Sequence, residues 1–252
     1  MTDRFVIIVP ARAASTRLPN KPLAMINGKS LISRIIDLAN SSNAMNSYIA
    51  TDSIEIKDHA ESMGANVVMT SDEHLSGMDR IAEAAKKIDL PLNIPIINLQ
   101  GDEPFMPLQI INKLPLLITK ETPISTACVS FDKNMDVNNP NEVKVIRSKS
   151  KKAIYFSRSV IPNSFTFNYK NYLKHLGIYA YKPDGTQWFS VNIPKNNSSY
   201  VQKGPFVPYI GTWSNGTSAG TFQTGYNNFV YLTQDDSKIS GKNPVDNPER
   251  EV

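Results

Sequence analysis

Three cations and one carboxylate in this chain have the types and spacing to handle a phosphorylated ligand. Arg12, Arg17 and Lys21 fall in one short stretch, and no acidic residue occurs from Phe5 to Leu23. Ala11, Ala13, Ala14 and Ser15 lie among them, small enough to let backbone N–H groups approach a ligand closely. Far along the chain, Gln100-Gly101-Asp102-Glu103-Pro104 follows an apolar run that ends at Leu99. A carboxylate there suits Mg2+ on a nucleotide, because that ion takes one or two protein carboxylates and keeps its other positions for phosphate and water. Plainer readings compete: a solvated surface loop for the cations, and a common Gly-Asp turn for the carboxylate. Three cations without a counter-charge weigh against the first.

Both segments need elements that end at one place. Phe5 to Val9 is a short apolar run without polar alternation, the pattern of a strand buried on both faces. Leu31, Ile35, Leu38 and Ala39 predict a helix from about Ser30 to Ser42, and Tyr48 to Ala50 a second strand. Asp52 stands three residues before Glu55, a capping-box spacing that opens a helix running to about Met63. Gly64 ends it, and Asn66 to Met69 is the next strand. Ile81, Ala84, Ala85 and Ile88 mark a further helix, and Ile94 to Leu99 another buried strand. Pro107 to Ile118 reads as a helix and Ile124 to Phe131 as a strand. Asn139 to Arg147 and Ala153 to Arg158 read as a hairpin around a basic turn; His175 to Tyr181 alternates like a strand, and Asn228 to Thr233 suits one more. The order predicts an α/β fold with a doubly wound, mostly parallel sheet, whose carboxyl edge binds ligands.

Composition narrows the class. At 252 residues the chain suffices for a single α/β domain over 1–252, with room for a small appendage. A net charge of +4 without a dense basic run or interleaved aromatics argues against nucleic acid as partner. One cysteine, Cys128, excludes an internal disulfide and reads as a core residue in a reducing compartment. No apolar run reaches membrane-spanning length, and the chain enters its first strand within a few residues, so the expectation is a cytoplasmic protein without membrane contact.

The stretch P-A-R-x-x-S-T-R-L-P-x-K-P-L, from Pro10 to Leu23, resembles the nucleotide-binding loop of the CMP-Kdo synthetases (3-deoxy-manno-octulosonate cytidylyltransferases). Gln100 to Pro104 matches that family's metal-binding segment residue for residue. The resemblance implies a nucleotide-diphospho-sugar transferase fold, with residues 132–243 including a smaller β-containing sugar-binding and dimerisation lobe. It implies CTP and an acidic eight-carbon sugar as partners, Mg2+ as cofactor, and a homodimer. Arg12, Lys21 and Asp102 would be catalytic, with Ala11 and Ser15 in the nucleotide loop. His74-Leu-Ser76-Gly77-Met78-Asp79-Arg80 is similar to the family's S-G-T-[DE]-R segment and carries over Ser76 and Arg80 toward the base, with Met78 where the family has Thr. Gln100 would face the sugar or ribose. Arg158, His175 and Tyr179 come from the Y-F-S-R-x-x-I-P and H-x-G-x-Y-x-Y segments on the sugar side. Arg158 suits either the sugar's carboxylate or a structural ion pair. Pro244-Val-Asp246-Asn247-Pro-Glu249 resembles the segment whose Asp is the second metal ligand, though Asn247-Pro248 also suits a helix cap.

The resemblance fails from about Lys195 to Asn243. The family has an acidic helix at the dimer interface, whereas this chain has no glutamate between Glu142 and Glu249 and only Leu232 as a leucine in that span. Gly, Ser, Thr and Asn make it a poor helix former. The alternatives are therefore a cytidylyltransferase for a related acid (8-amino-Kdo or sialic acid), another nucleotidyltransferase, and a nucleotide-binding protein that has lost transfer.

Overall fold

The computed structural model describes residues 4–13, 20–74, 76–119, 122–162 and 168–183, with the backbone of Phe229–Thr233. Its frame is β1 (Val6–Ala11), which is buried on both faces as its uninterrupted apolar sequence requires. Ile7 and Val9 turn to one core, shared with α1 (Leu31–Asn40), α2 (Ile54–Ser62) and α4 (Leu108–Lys113). Val6 and Ile8 turn to the other, shared with α3 (Gly77–Lys87). Period-two alternation thus splits one strand between two helical layers.

After β1 come the two-residue strands β2 (Met25–Ile26) and β3 (Lys29–Ser30), a small hairpin leading into α1. The strand β4 (Asn46–Thr51) pairs parallel with β1, and β5 (Asn66–Met69) parallel with β4. The chain then crosses through α3 to β6 (Ile96–Asn98), which pairs parallel with β1 on its other side. That reversal makes the β1–β6 boundary the topological switch point, where open α/β sheets place ligands beyond the carboxyl ends of the strands.

Beyond β6 the sheet becomes mixed. The strand β7 (Ile124–Ser130) does not pair with β6; the long β10 (Leu173–Tyr181) inserts between them, antiparallel to both. The hairpin β8 (Lys144–Arg147) and β9 (Ala153–Ser157) attaches to β10, and β11 (Phe229–Thr233) pairs parallel with β7. Cys128 is buried among Val145, Ala153 and Leu173, the core place its sequence context predicts.

Two local expectations are corrected. Ser53, not Asp52, caps α2, its side chain accepting from the N–H of Ile56. The predicted helix from Pro107 to Ile118 is α-helical only to Lys113, then tightens into a 3-10 turn over Leu114–Leu117. Pro115 lacks the N–H that would continue the α-helical ladder.

Candidate active site

The carboxyl end of β1 leads to Arg12, which is exposed beyond the sheet. Ser15 and Arg17 lie outside the described residues. The chain re-enters at Asn20, whose N–H returns to the carbonyl of Ala13 and whose φ of 51° turns it into the 3-10 turn Lys21–Leu23. Buried Pro22 anchors that turn and aims Lys21 across the switch point. The Lys21 ammonium lies 2.6 Å from the Asp102 carboxylate. Two segments about eighty residues apart, chosen on sequence for phosphate and for metal, are therefore neighbours. Gly101 makes the approach possible: a Cβ there would stand 3.3 Å from the Pro10 carbonyl oxygen, tighter than ordinary packing.

Beside Asp102, Glu103 has its carboxyl pushed up, first by partial burial and then by the neighbouring Asp102 charge. Gln100 donates to the Asn98 side chain at 2.7 Å, and its Cγ lies beside Gly177, where β10 shifts register between Leu176 and Tyr179. Gln100 thus stands between the β1 loop and the β10 side, where a ligand spanning both would pass.

On the other flank, the loop from β5 enters α3. Ser76 caps that helix: its Oγ accepts from the Asp79 N–H, and the Asp79 carboxylate accepts from Ser76, a full capping box. Arg80 is 2% exposed, and its guanidinium donates to Thr70 and, at 2.6 Å, to Asp52. Neither a solvated charge nor a free hand toward a ligand, it braces the ends of β4 and β5 together. Sequence reading missed Asp52 in this role, and missed Glu83, which accepts from Ser71 and His74. A signal existed: Arg80, Glu83 and Lys87 share one helical face turned toward the β5 loop.

The third group lies on β10. His175 is buried; its Nε2 is 2.9 Å from Thr126 Oγ1, whose own hydrogen goes to the Ile178 carbonyl at 2.6 Å. With that proton committed, His175 donates through Nε2. Burial pulls its pKa down to about 3, so it is neutral at pH 7, and its ring packs against Phe156 and Tyr179. Burial likewise pushes the Tyr179 hydroxyl up. Arg158 donates to the Pro140 carbonyl at 2.6 Å, and fully buried Lys144 donates to the carbonyls of Asn139 and Arg158. That leaves the Arg158 segment pinned to the Asn139-Pro140 turn.

Arg12, Lys21, Gln100 and Asp102 thus stand beyond the carboxyl ends of β1 and β6, with Ser76 and Arg80 past β5, His175 and Tyr179 on β10, and Arg158 just past β9. Asp246 lies outside the described residues. Among the described residues no group of three or more His, Cys, Asp or Glu is placed to hold a metal, and no helix is long and apolar enough to cross a membrane.

Comparison with known proteins meets this geometry. The family profile described as cytidylyltransferase matches residues 6–196, stopping where the sequence resemblance fails. A curated 3-deoxy-manno-octulosonate cytidylyltransferase of Francisella tularensis subsp. holarctica is 46% identical over 184 residues, covering 70% of this chain and 74% of its own. Its counterpart from Polynucleobacter necessarius is 40% identical over 191 residues, covering 74% of this chain and 75% of its own. The solved structure of CMP:2-keto-3-deoxy-manno-octonic acid synthetase complexed with CTP superposes with a TM-score of 0.65 at 35% identity, covering 72% of this chain and 75% of that one.

Proposed function

The chain belongs to the cytidylyltransferase family, and from that membership we propose that it joins CTP to 3-deoxy-manno-octulosonate (Kdo), giving CMP-Kdo and pyrophosphate. The observation that carries the reading is the meeting of Lys21 with Asp102 at the switch point, in a chain whose relatives bear that enzyme's name. Arg12 and Lys21, with backbone N–H groups around Ala11 and Ser15, hold the triphosphate and offset charge on the departing pyrophosphate. Ser76 and Arg80 support the base side. Gln100 faces the ribose or sugar, while Tyr179 and Arg158 line the sugar side of the smaller lobe proposed within residues 132–243, with buried His175 packed against Tyr179. The sugar's anomeric hydroxyl attacks the α-phosphorus in line, so the protein's task is positioning and charge stabilisation.

The donor set fits Mg2+. Asp102 is a hard oxygen ligand that already faces a cation, the Lys21 ammonium, and one carboxylate plus phosphate oxygens meets that ion's habit. Asp102 would hold it with Asp246, and the ion would polarise the phosphoryl oxygens. The proposal extends to lipopolysaccharide biosynthesis, a cytoplasmic setting and a homodimer, the last to be read by sedimentation velocity.

A pyrophosphate-release assay crossing CTP and UTP with Kdo, 8-amino-Kdo and N-acetylneuraminate tests the reading. Release with CTP and Kdo is expected; release only with another acid would move the substrate. A second reading, nucleotide binding without transfer, is favoured by the sequence from Lys195 to Asn243, which lacks the family's glutamate- and leucine-bearing pattern. CTP binding with no release on any sugar would establish it.

A further inference from the structure

The loop joining β5 to α3 is held from the helix side by a network that the roles above do not use. Glu83 is its hub. One carboxylate oxygen accepts the Ser71 N–H at 2.9 Å and the His74 Nε2–H, and the other faces the Lys87 ammonium at 2.7 Å. Lys87 also donates to the Met69 carbonyl at the end of β5, 2.8 Å away. One turn earlier on the same face, Arg80 takes Thr70 and Asp52. Met69, Thr70, Ser71 and His74 are therefore all tied to one face of α3, and Ser76 closes the loop as the helix cap.

The opposite end of this clamp meets the site. Gly77 packs on the Pro10 ring so closely that a Cβ would stand 3.2 Å from it. The clamped loop therefore abuts the root of the phosphate loop. Sheet order puts β5 two strands from β1, about 10 Å away at ordinary strand spacing. That distance is comparable with the reach of a nucleoside triphosphate from distal phosphates to base. The β6 side of β1 is taken by Asp102 and Gln100, which leaves the β5 side for the base. Glu83 also keeps its charge: burial opposes it, but hydrogen bonds from Lys87, Ser71 and His74 outweigh burial and hold its pKa at about 2.

We propose that Glu83 and His74 are positioning residues for nucleoside recognition, fixing the backbone at Ser71, His74, Ser76 and Gly77 against the pyrimidine while the β1 loop holds the phosphates independently. The inference rests on the CTP reading and separates base recognition from phosphate binding. Calorimetric titration of the full chain with CTP, and separately with inorganic tripolyphosphate, tests it on the wild type, Glu83→Gln and His74→Ala. Losing one charge-assisted hydrogen bond in the clamp is expected to weaken CTP roughly tenfold. Tripolyphosphate should stay within about twofold, because its contacts lie on another loop. In turnover the change should fall on KM for CTP, with kcat held. Equal weakening of both ligands, or no change in either, overturns the proposal. His74→Ala alters only a loop side chain, so it decides the matter even where Glu83→Gln fails to fold. Wild-type protein that binds tripolyphosphate but not CTP would instead overturn the nucleotide reading, and this inference with it.

Discussion

Lys21 and Asp102 are each other's counter-ion, 2.6 Å apart across the boundary between β1 and β6. Under the proposed function each has another partner in view: phosphate oxygens for the ammonium, a divalent cation for the carboxylate. The two exchanges are coupled, because phosphate that draws Lys21 away frees Asp102. Lys21→Met should therefore tighten Mn2+ binding in nucleotide-free protein while weakening CTP. The pair is roughly half exposed, which limits the gain to about 1 kcal/mol, or about fivefold. Electron paramagnetic resonance of free Mn2+ reads the change directly; unchanged or weaker Mn2+ binding would show that Lys21 does not compete with metal at Asp102.

Local chemistry made much of this fold readable. The apolar run of β1 lacks alternation because both faces are covered, and the Ser76–Asp79 spacing sits at a true helix start. What sequence hid was long-range. Asp52 and Ser53 both suit an N-cap, and the choice between them was made by Arg80, a partner 28 residues on. The placing of β10 between β6 and β7 depends on pairing that no local pattern encodes. Pro115 was visible, and its effect on the α4 ladder was the legible feature that went unused. At the site, residue types announced phosphate chemistry, but only the fold showed that Arg80 is braced inward and His175 held neutral.

Asp102→Asn should abolish pyrophosphate release while changing CTP affinity only modestly. The substitution keeps size and hydrogen-bonding capacity but removes the anion a divalent cation needs, and under the proposed function Arg12 and Lys21 would still hold the triphosphate. Single-turnover kinetics beside a CTP titration separates the two effects. Residual turnover near wild type would remove Asp102 from the metal site.

His175 sets an acid-side limit on stability. Its folded pKa is depressed by burial to about 3, below the 6.5 of an exposed histidine. The folded state therefore binds fewer protons than the unfolded state between those values, and stability falls as pH drops from about 6.5 toward 3. His175→Gln removes the titrating ring, so its urea midpoint, measured across that window, should fall less steeply than wild type. Parallel pH profiles would show that His175 does not carry the dependence.

Asp52 and Arg80 provide the sharpest contrast between bracing and ligand contact. Their side chains are 12% and 3% exposed, so deleting one charge strands the other in a poorly hydrated place. Asp52→Ala should lose on the order of 3 kcal/mol, the usual cost of breaking such a pair, and shift the urea midpoint accordingly. Arg80→Met removes the stranded cation, so Asp52→Ala with Arg80→Met should be more stable than Asp52→Ala alone. The family resemblance puts the same arginine near the base, and CTP affinity tells the roles apart. If Arg80 acts through the β4–β5 brace, Asp52→Ala and Arg80→Met should weaken CTP by similar factors. If the guanidinium meets the base itself, Arg80→Met should cost far more affinity than Asp52→Ala. The buried geometry, with donors committed to Thr70 and Asp52, predicts the first pattern.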